Sequence, residues 1–144
     1  MVAYNDIRNA FKTIITENYN GIPIYDESIQ QGFKAPAFFM QLIPINGERE
    51  NKNSKSRLMM MDVQYFPKDN STDDAFDVVD GLENLFRDSI DVNGRSLKLE
   101  YTQYQTEYDG TGIVLHFNIF INYFELIREE PTGETASEVI VKGV

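Results

Sequence analysis

Residues 58–90 read LMMMDVQYFPKDNSTDDAFDVVDGLENLFRDSI, and the hydrophobic period changes once along them. Met59, Met61, Val63 and Tyr65 alternate with their neighbours, the two-residue period of a strand, which spans Arg57–Phe66 and stops at Pro67. From about Thr72 to Ser89 the period becomes helical: Phe76, Val79, Leu82 and Phe86 fall on one face, and Asp73, Asp77, Asp80 and Asn84 on the other. Ser71 or Thr72 can cap this helix, and aspartates at its start suit the positive end of its dipole. Gly81, mid-helix, costs about 1 kcal/mol relative to alanine, which points to close backbone packing there.

Upstream, Tyr4, Ile7, Phe11, Ile14 and Ile15 recur at spacings of three and four and predict a helix over residues 3–18. Asn20-Gly21 ends it, because both residues tolerate the left-handed conformation found just past a helix. Ile22–Tyr25 reads as a short extended segment. Ala37–Ile45 is apolar on both faces, as in a strand covered on two sides or one whose second face meets a partner. Pro44 removes a ladder donor and places the end of that strand at a sheet edge. Asn46–Ser56 lacks any period and reads as a polar loop.

Downstream, Asn93-Gly94 is a two-residue hairpin turn, since both positions need positive φ. It joins Ile90–Val92 to a strand running from Arg95 to about Tyr108. Asp109–Gly112 makes the next turn, and Ile113–Ile127 is the longest strand, with Ile113, Leu115, Phe117, Ile119, Ile121 and Tyr123 on one face. Residues 128–144 are polar as far as the run Val139-Ile140-Val141. The expected fold is α+β: a mainly antiparallel sheet packed against two amphipathic helices, in one domain over 1–127, with 128–144 as a C-terminal arm.

A chain of 144 residues with 42% hydrophobic and 25% charged residues has the composition of an ordinary globular domain. No apolar run reaches the roughly 18 residues that span a bilayer, and MVAYNDIRNAFK lacks the basic-then-apolar order of a secretory signal. The expected site of synthesis and assembly is a cytoplasm, with no membrane partner. Zero cysteines exclude disulfides and thiolate chemistry. A net charge of −10 argues against binding nucleic acid by neutralising phosphates.

The order helix, strands, strand–turn–helix, hairpin, long strand, with the V-x-Y-F-P run at Val63–Pro67, resembles the tail terminator proteins of bacteriophages. It is similar in particular to the small acidic members from phages and tail-like particles of Gram-positive bacteria. The resemblance implies a structural protein without cofactor, a hexameric ring on the last ring of tail-tube protein. Such a ring stops tube growth, caps the sheath in contractile systems, and offers the surface that joins the head through a head-completion protein. DNA passes through it unbound, and the subunit moves from the bacterial host cytoplasm into the virion or tail-like particle. A head–tail stopper or a tube component of the same machine is the neighbouring alternative, although tube proteins tend to be richer in strand.

Signatures of catalysis are missing. His116, the chain's one histidine, sits inside a strand pattern and reads as a structural or interface residue. One histidine and no cysteine make a zinc site implausible, DGTG at 109–112 is a turn and not a phosphate cradle, and Asp73, Asp74 and Asp77 lack the order of a calcium loop. Asp62, Glu100 and Glu107, with Lys98, form the distant alternative, a metal-dependent nuclease. They lack the tight carboxylate-x-lysine spacing of such sites.

Three groups are candidates for contact with partners. Arg49, Lys52, Lys55 and Arg57 place four of thirteen basic residues within nine positions, a docking loop on an acidic body. Asp73, Asp77 and Asp80 are candidate channel-facing acids, where like charge keeps phosphates from sticking. Val139, Ile140 and Val141 suit addition of a strand to a neighbour's sheet edge. Tyr101, Tyr104 and Tyr108 occupy both faces of one strand, which places some of them outside the subunit's core.

Overall fold

The computed structural model describes residues 2–26, 34–108 and 112–126. Two helices, α1 (Tyr4–Asn18) and α2 (Thr72–Leu85), lie with six strands: β1 (Ile24–Tyr25), β2 (Ala37–Asn51), β3 (Ser54–Phe66), β4 (Ser89–Val92), β5 (Arg95–Tyr108) and β6 (Ile113–Leu126). The strands form one sheet in the order β1-β2-β3-β6-β5-β4. The α+β reading holds, but the sheet is mixed: β1 runs parallel to β2, pairing Ile24 with Phe38 and Tyr25 with Phe39, while the other pairings are antiparallel.

Both helices cover one face of the sheet. Ile7, Phe11 and Ile15 of α1, with Val78, Val79 and Leu82 of α2, pack on Phe38, Met40, Met59, Met61, Val63, Leu115, Phe117 and Ile119. Phe86, just past α2, meets Phe11 with ring centroids 5.0 Å apart and so joins the helices to each other. The opposite face carries Met60, Asp62, Gln64, His116, Asn118 and Phe120, and no helix among the described residues covers it.

The strand-to-helix connection is held by one carboxylate. Asp74 Oδ2 accepts the Tyr65 hydroxyl at 2.7 Å and the Lys68 N–H at 3.2 Å, while Ser71 Oγ caps α2 by accepting the Asp74 N–H at 3.1 Å. A single 3₁₀ turn, Lys68–Asn70, fills the corner. Gly81 is where α2 meets the end of α1: a methyl group there would run into the Tyr19 hydroxyl, so glycine is what lets the two approach.

Several expectations need correction. Asn46–Ser56 is not a loop: β2 and β3 continue as a ladder through Arg49↔Lys55 to Asn51↔Ser54, leaving a tight turn at Lys52-Asn53. Hydrophobic period reports burial, not backbone pairing, and β2 beyond Ile43 is exposed on both faces, so the pattern vanished while the strand did not. α2 ends at Leu85, four residues early, because Phe86 leaves helical geometry (φ −116°, ψ 60°) to reach the core. Phe76, expected on the buried stripe, is 55% exposed. The turn at 109–111 lies outside the described residues, but Tyr108 pairs with Ile113 on either side of it.

Candidate functional site

The four basic residues at 49–57 separate into two groups. Arg49 folds back on the hairpin turn, its Nε donating to the Asn51 carbonyl at 3.3 Å and its Nη2 to the Lys52 carbonyl at 3.0 Å. Lys52 is exposed at the turn and Lys55 is half-buried beside it. Arg57 does not belong to a docking loop at all: it is buried in β3. Its Nη1 donates to the Val2 carbonyl (3.0 Å) and to the Tyr123 hydroxyl (3.2 Å), and its guanidinium lies 4.0 Å over the Tyr4 ring. Glu125, also buried, accepts the Val2 N–H at 2.9 Å and pairs with Arg95 at 3.3 Å. Arg95 also donates to the Phe124 carbonyl. This cluster ties the entry of α1 to β3, β5 and β6. Sequence spacing grouped Arg57 with its basic neighbours, although its place in the strand alternation with Met59 and Met61 marked it as inward-facing.

Asp73, Asp77 and Asp80 are all exposed on α2, and Asp80 borders the depression between α2 and β5. His116 lies on the uncovered sheet face between two carboxylates, with Nε2 3.3 Å from Glu107 Oε2 and Nδ1 3.6 Å from Asp62 Oδ1. Gln64 donates to Asp62 at 3.0 Å and Gln105 to Glu107 at 2.8 Å. This row laces β3, β6 and β5 together and places no hydroxyl or thiol nucleophile against the histidine. Glu100 and Lys98 of the nuclease alternative lie farther along β5, outside this row. Among the described residues no group of three side chains could hold a metal ion.

The tyrosines reach both faces of β5 by simple alternation, and a one-residue bulge at Glu100 decides which face each takes: Leu99 pairs with Ile121 but Tyr101 with Phe120. Tyr101 therefore stacks on Phe120 on the uncovered face (4.4 Å, 14°), and Tyr104 on Phe117 on the helix side (5.7 Å, 3°). All three are exposed, at 56%, 47% and 77% for Tyr101, Tyr104 and Tyr108. The outer edge of β5 is also open. β4 pairs only with Arg95–Lys98, so from Glu100 to Tyr108 no strand lies beside it among the described residues. On the other side of the sheet, β1 covers only Phe38 and Phe39 of β2. Val139, Ile140 and Val141 fall outside the described residues.

These features make surfaces and edges. No curated protein matches the chain significantly. Several solved structures match; one of them does so with a TM-score of 0.53 at 13% identity, covering 90% of this chain and 99% of that one, which is a likeness of fold alone. The family model described as "Phage tail terminator protein" matches residues 6–133, nearly the whole sequence, and the chain belongs to that family.

Proposed function

We propose that this protein ends the growth of a phage tail tube by assembling as a ring on its last layer and presenting the surface to which the head is joined. Family membership over residues 6–133 carries the reading. The subunit's form supports it: among the described residues, one sheet face without a helical cover, exposed tyrosines, and a partly open strand on each side of the same sheet. Surfaces of this kind at two different places on one subunit make heterologous contacts, which close into a ring when the rotation permits. A hexamer is the expected closure.

In this reading the protein turns over no substrate and needs no cofactor. Its partners are further copies of itself, the tube protein, the sheath protein if the tail contracts, and a head-completion protein. Arg49, Lys52 and Lys55 on the β2–β3 hairpin offer basic docking points on an acidic body. The exposed acids Asp73, Asp77 and Asp80 line or approach the channel, where they discourage contact with passing DNA phosphates. Assembly takes place in the bacterial host cytoplasm, and the protein then remains in the virion or tail-like particle.

The test is genetic. Removing the gene from the parent phage or particle should give tubes of irregular length that fail to acquire heads, and a plasmid copy should restore both. Headless particles would show the length defect alone. Tubes of normal, uniform length in the deletion would overturn the proposal.

A further inference from the structure

The outer edge of β5 is the least guarded edge in the sheet. Natural edges are blunted by proline, charge or bulges, because unpaired N–H and C=O groups invite another strand. β2 beyond its pairing with β1 has all three: Pro44, the charges of Glu48, Arg49 and Glu50, and register breaks at Pro44/Asn46 and Arg49/Asn51. Beyond its bulge at Glu100, β5 reads YTQYQTEY, with no proline, no lysine and unbroken register from Tyr101 to Tyr108. Such a sequence favours strand pairing.

A second observation lies beside the edge. α2 overhangs β5 here, leaving an open depression of ≈ 430 Å³ whose lining includes the apolar Phe76, Val79, Tyr104 and Leu115 and the acids Asp80 and Glu83. Phe76 belongs to the same helical stripe as Val79, yet it is 55% exposed, and among the described residues no strand lies beyond β5 to cover it. A further strand on β5 would bring alternate side chains under Phe76. A strand added there meets apolar and acidic side chains together, which suits an apolar strand that carries a cation.

We propose that the segment Val139-Ile140-Val141 of a second copy adds this strand. The inference rests on the ring reading above, and names the surface through which neighbouring subunits would hold each other. Three β-branched residues in a row suit an extended backbone with apolar side chains on both sides. Lys142 directly follows them, and the acceptor is acidic: Glu100 and Glu107 on β5, with Asp80 and Glu83 at the depression. Residues 127–138 provide a twelve-residue tether from Leu126, with a reach of up to roughly 40 Å, enough to cross to an adjacent subunit.

Cysteine pairs test this cleanly, since the chain has none of its own. Thr106→Cys, on the depression side of β5, is combined in turn with Val139→Cys, Ile140→Cys and Val141→Cys, and the pairs are oxidised in tails assembled with the tube protein. A strand places residues 139 and 141 on one face and 140 on the other, so disulfide yields should alternate several-fold along the three. Gln103→Cys, which points to the opposite face, should invert the pattern. The products should be covalent ladders of subunits. Thermal melts of each variant confirm folding, and any unfolded variant is replaced by its Gln103 or Thr106 counterpart. Intramolecular disulfides without ladders, equal yields at all three positions, or incorporation into tails without cross-links would each overturn the inference and leave the ring standing. Absence of the unmodified protein from tails would overturn the ring reading, and the inference with it.

Discussion

Arg57→Met should destabilise the subunit by about 2–3 kcal/mol, whereas serine at Arg49, Lys52 and Lys55 together should change stability little. Methionine keeps an aliphatic stem in the buried site and removes only the guanidinium. That deletes donation to the Val2 carbonyl at 3.0 Å and to the Tyr123 hydroxyl at 3.2 Å, and the cation lying 4.0 Å over Tyr4. Hydrogen bonds from a charged donor contribute about 1.5–3 kcal/mol, and a desolvated cation–π contact about 1–2. Relief of the buried charge offsets part of this sum. The Val2 carbonyl is not orphaned, because the Tyr123 hydroxyl still donates to it at 3.2 Å, which keeps the loss below the worst case. For a chain of this length, 2–3 kcal/mol corresponds to a fall in Tm of about 6–10 °C. Circular-dichroism melts and urea titrations of the isolated protein measure it. A fall of less than about 2 °C for Arg57→Met, or an equal fall for the triple serine variant, would refute the view that Arg57 clamps the core of the fold while the bonds of its neighbours stay local to the hairpin turn.

Three further outcomes follow from the same packing. The Arg49→Ser, Lys52→Ser, Lys55→Ser variant should fold but attach poorly to the next tail component, read as the fraction of joined particles in electron micrographs; normal joining would remove the docking role. Gly81→Ala gains up to about 1 kcal/mol of helix propensity but strikes the Tyr19 hydroxyl, so a net loss of about 1 kcal/mol is expected, and Tyr19→Phe in the same chain should recover most of it. Burial, and for Tyr65 also the bond to Asp74, holds the hydroxyls of Tyr19, Tyr65 and Tyr123 above the ordinary tyrosine pKa. Raised folded-state values favour the neutral form, so this stability is complete below about pH 10 and is lost as pH rises beyond it, by up to about 1.4 kcal/mol per pH unit for each group. Tyr65→Phe should lessen that alkaline slope in urea titrations between pH 9 and 12, and an unchanged slope would contradict the assignment.

The layout of the fold was legible where one face of an element meets the core. Ile7, Phe11 and Ile15 gave α1, Met59 to Tyr65 gave β3, and Ile113 to Tyr123 gave β6, because period measures burial. It failed where both faces are wet: the hairpin arms at 46–56 are strand without pattern. Phe76 shows the converse, an apolar position with the right spacing but no surface beneath it in one subunit. The bulge at Glu100 had no local signal, since the extra residue is neither glycine nor proline, so the facing of Tyr101 and Tyr104 required the register. Arg57 was misplaced because four cations close in sequence look like one patch, while alternate residues of a strand point in opposite directions.

The bulge at Glu100 works like a frameshift written into a strand. Up to Leu99 the odd-numbered side chains face the helices; from Thr102 onward the even-numbered ones do. Deleting that single glutamate would remove the bulge and leave the remainder of β5 facing as it does; drawing the bulge into a regular ladder, with no residue lost, is what would turn the remainder over. Gln103, Gln105 and Glu107 would then be driven under α2, and Tyr104 would be sent to the side now held by Tyr101. In comparing relatives of this protein, whether the bulge at position 100 absorbs its extra residue therefore outweighs any single substitution in the strand, because straightening it with the residue kept exchanges the chemistry of two surfaces at once.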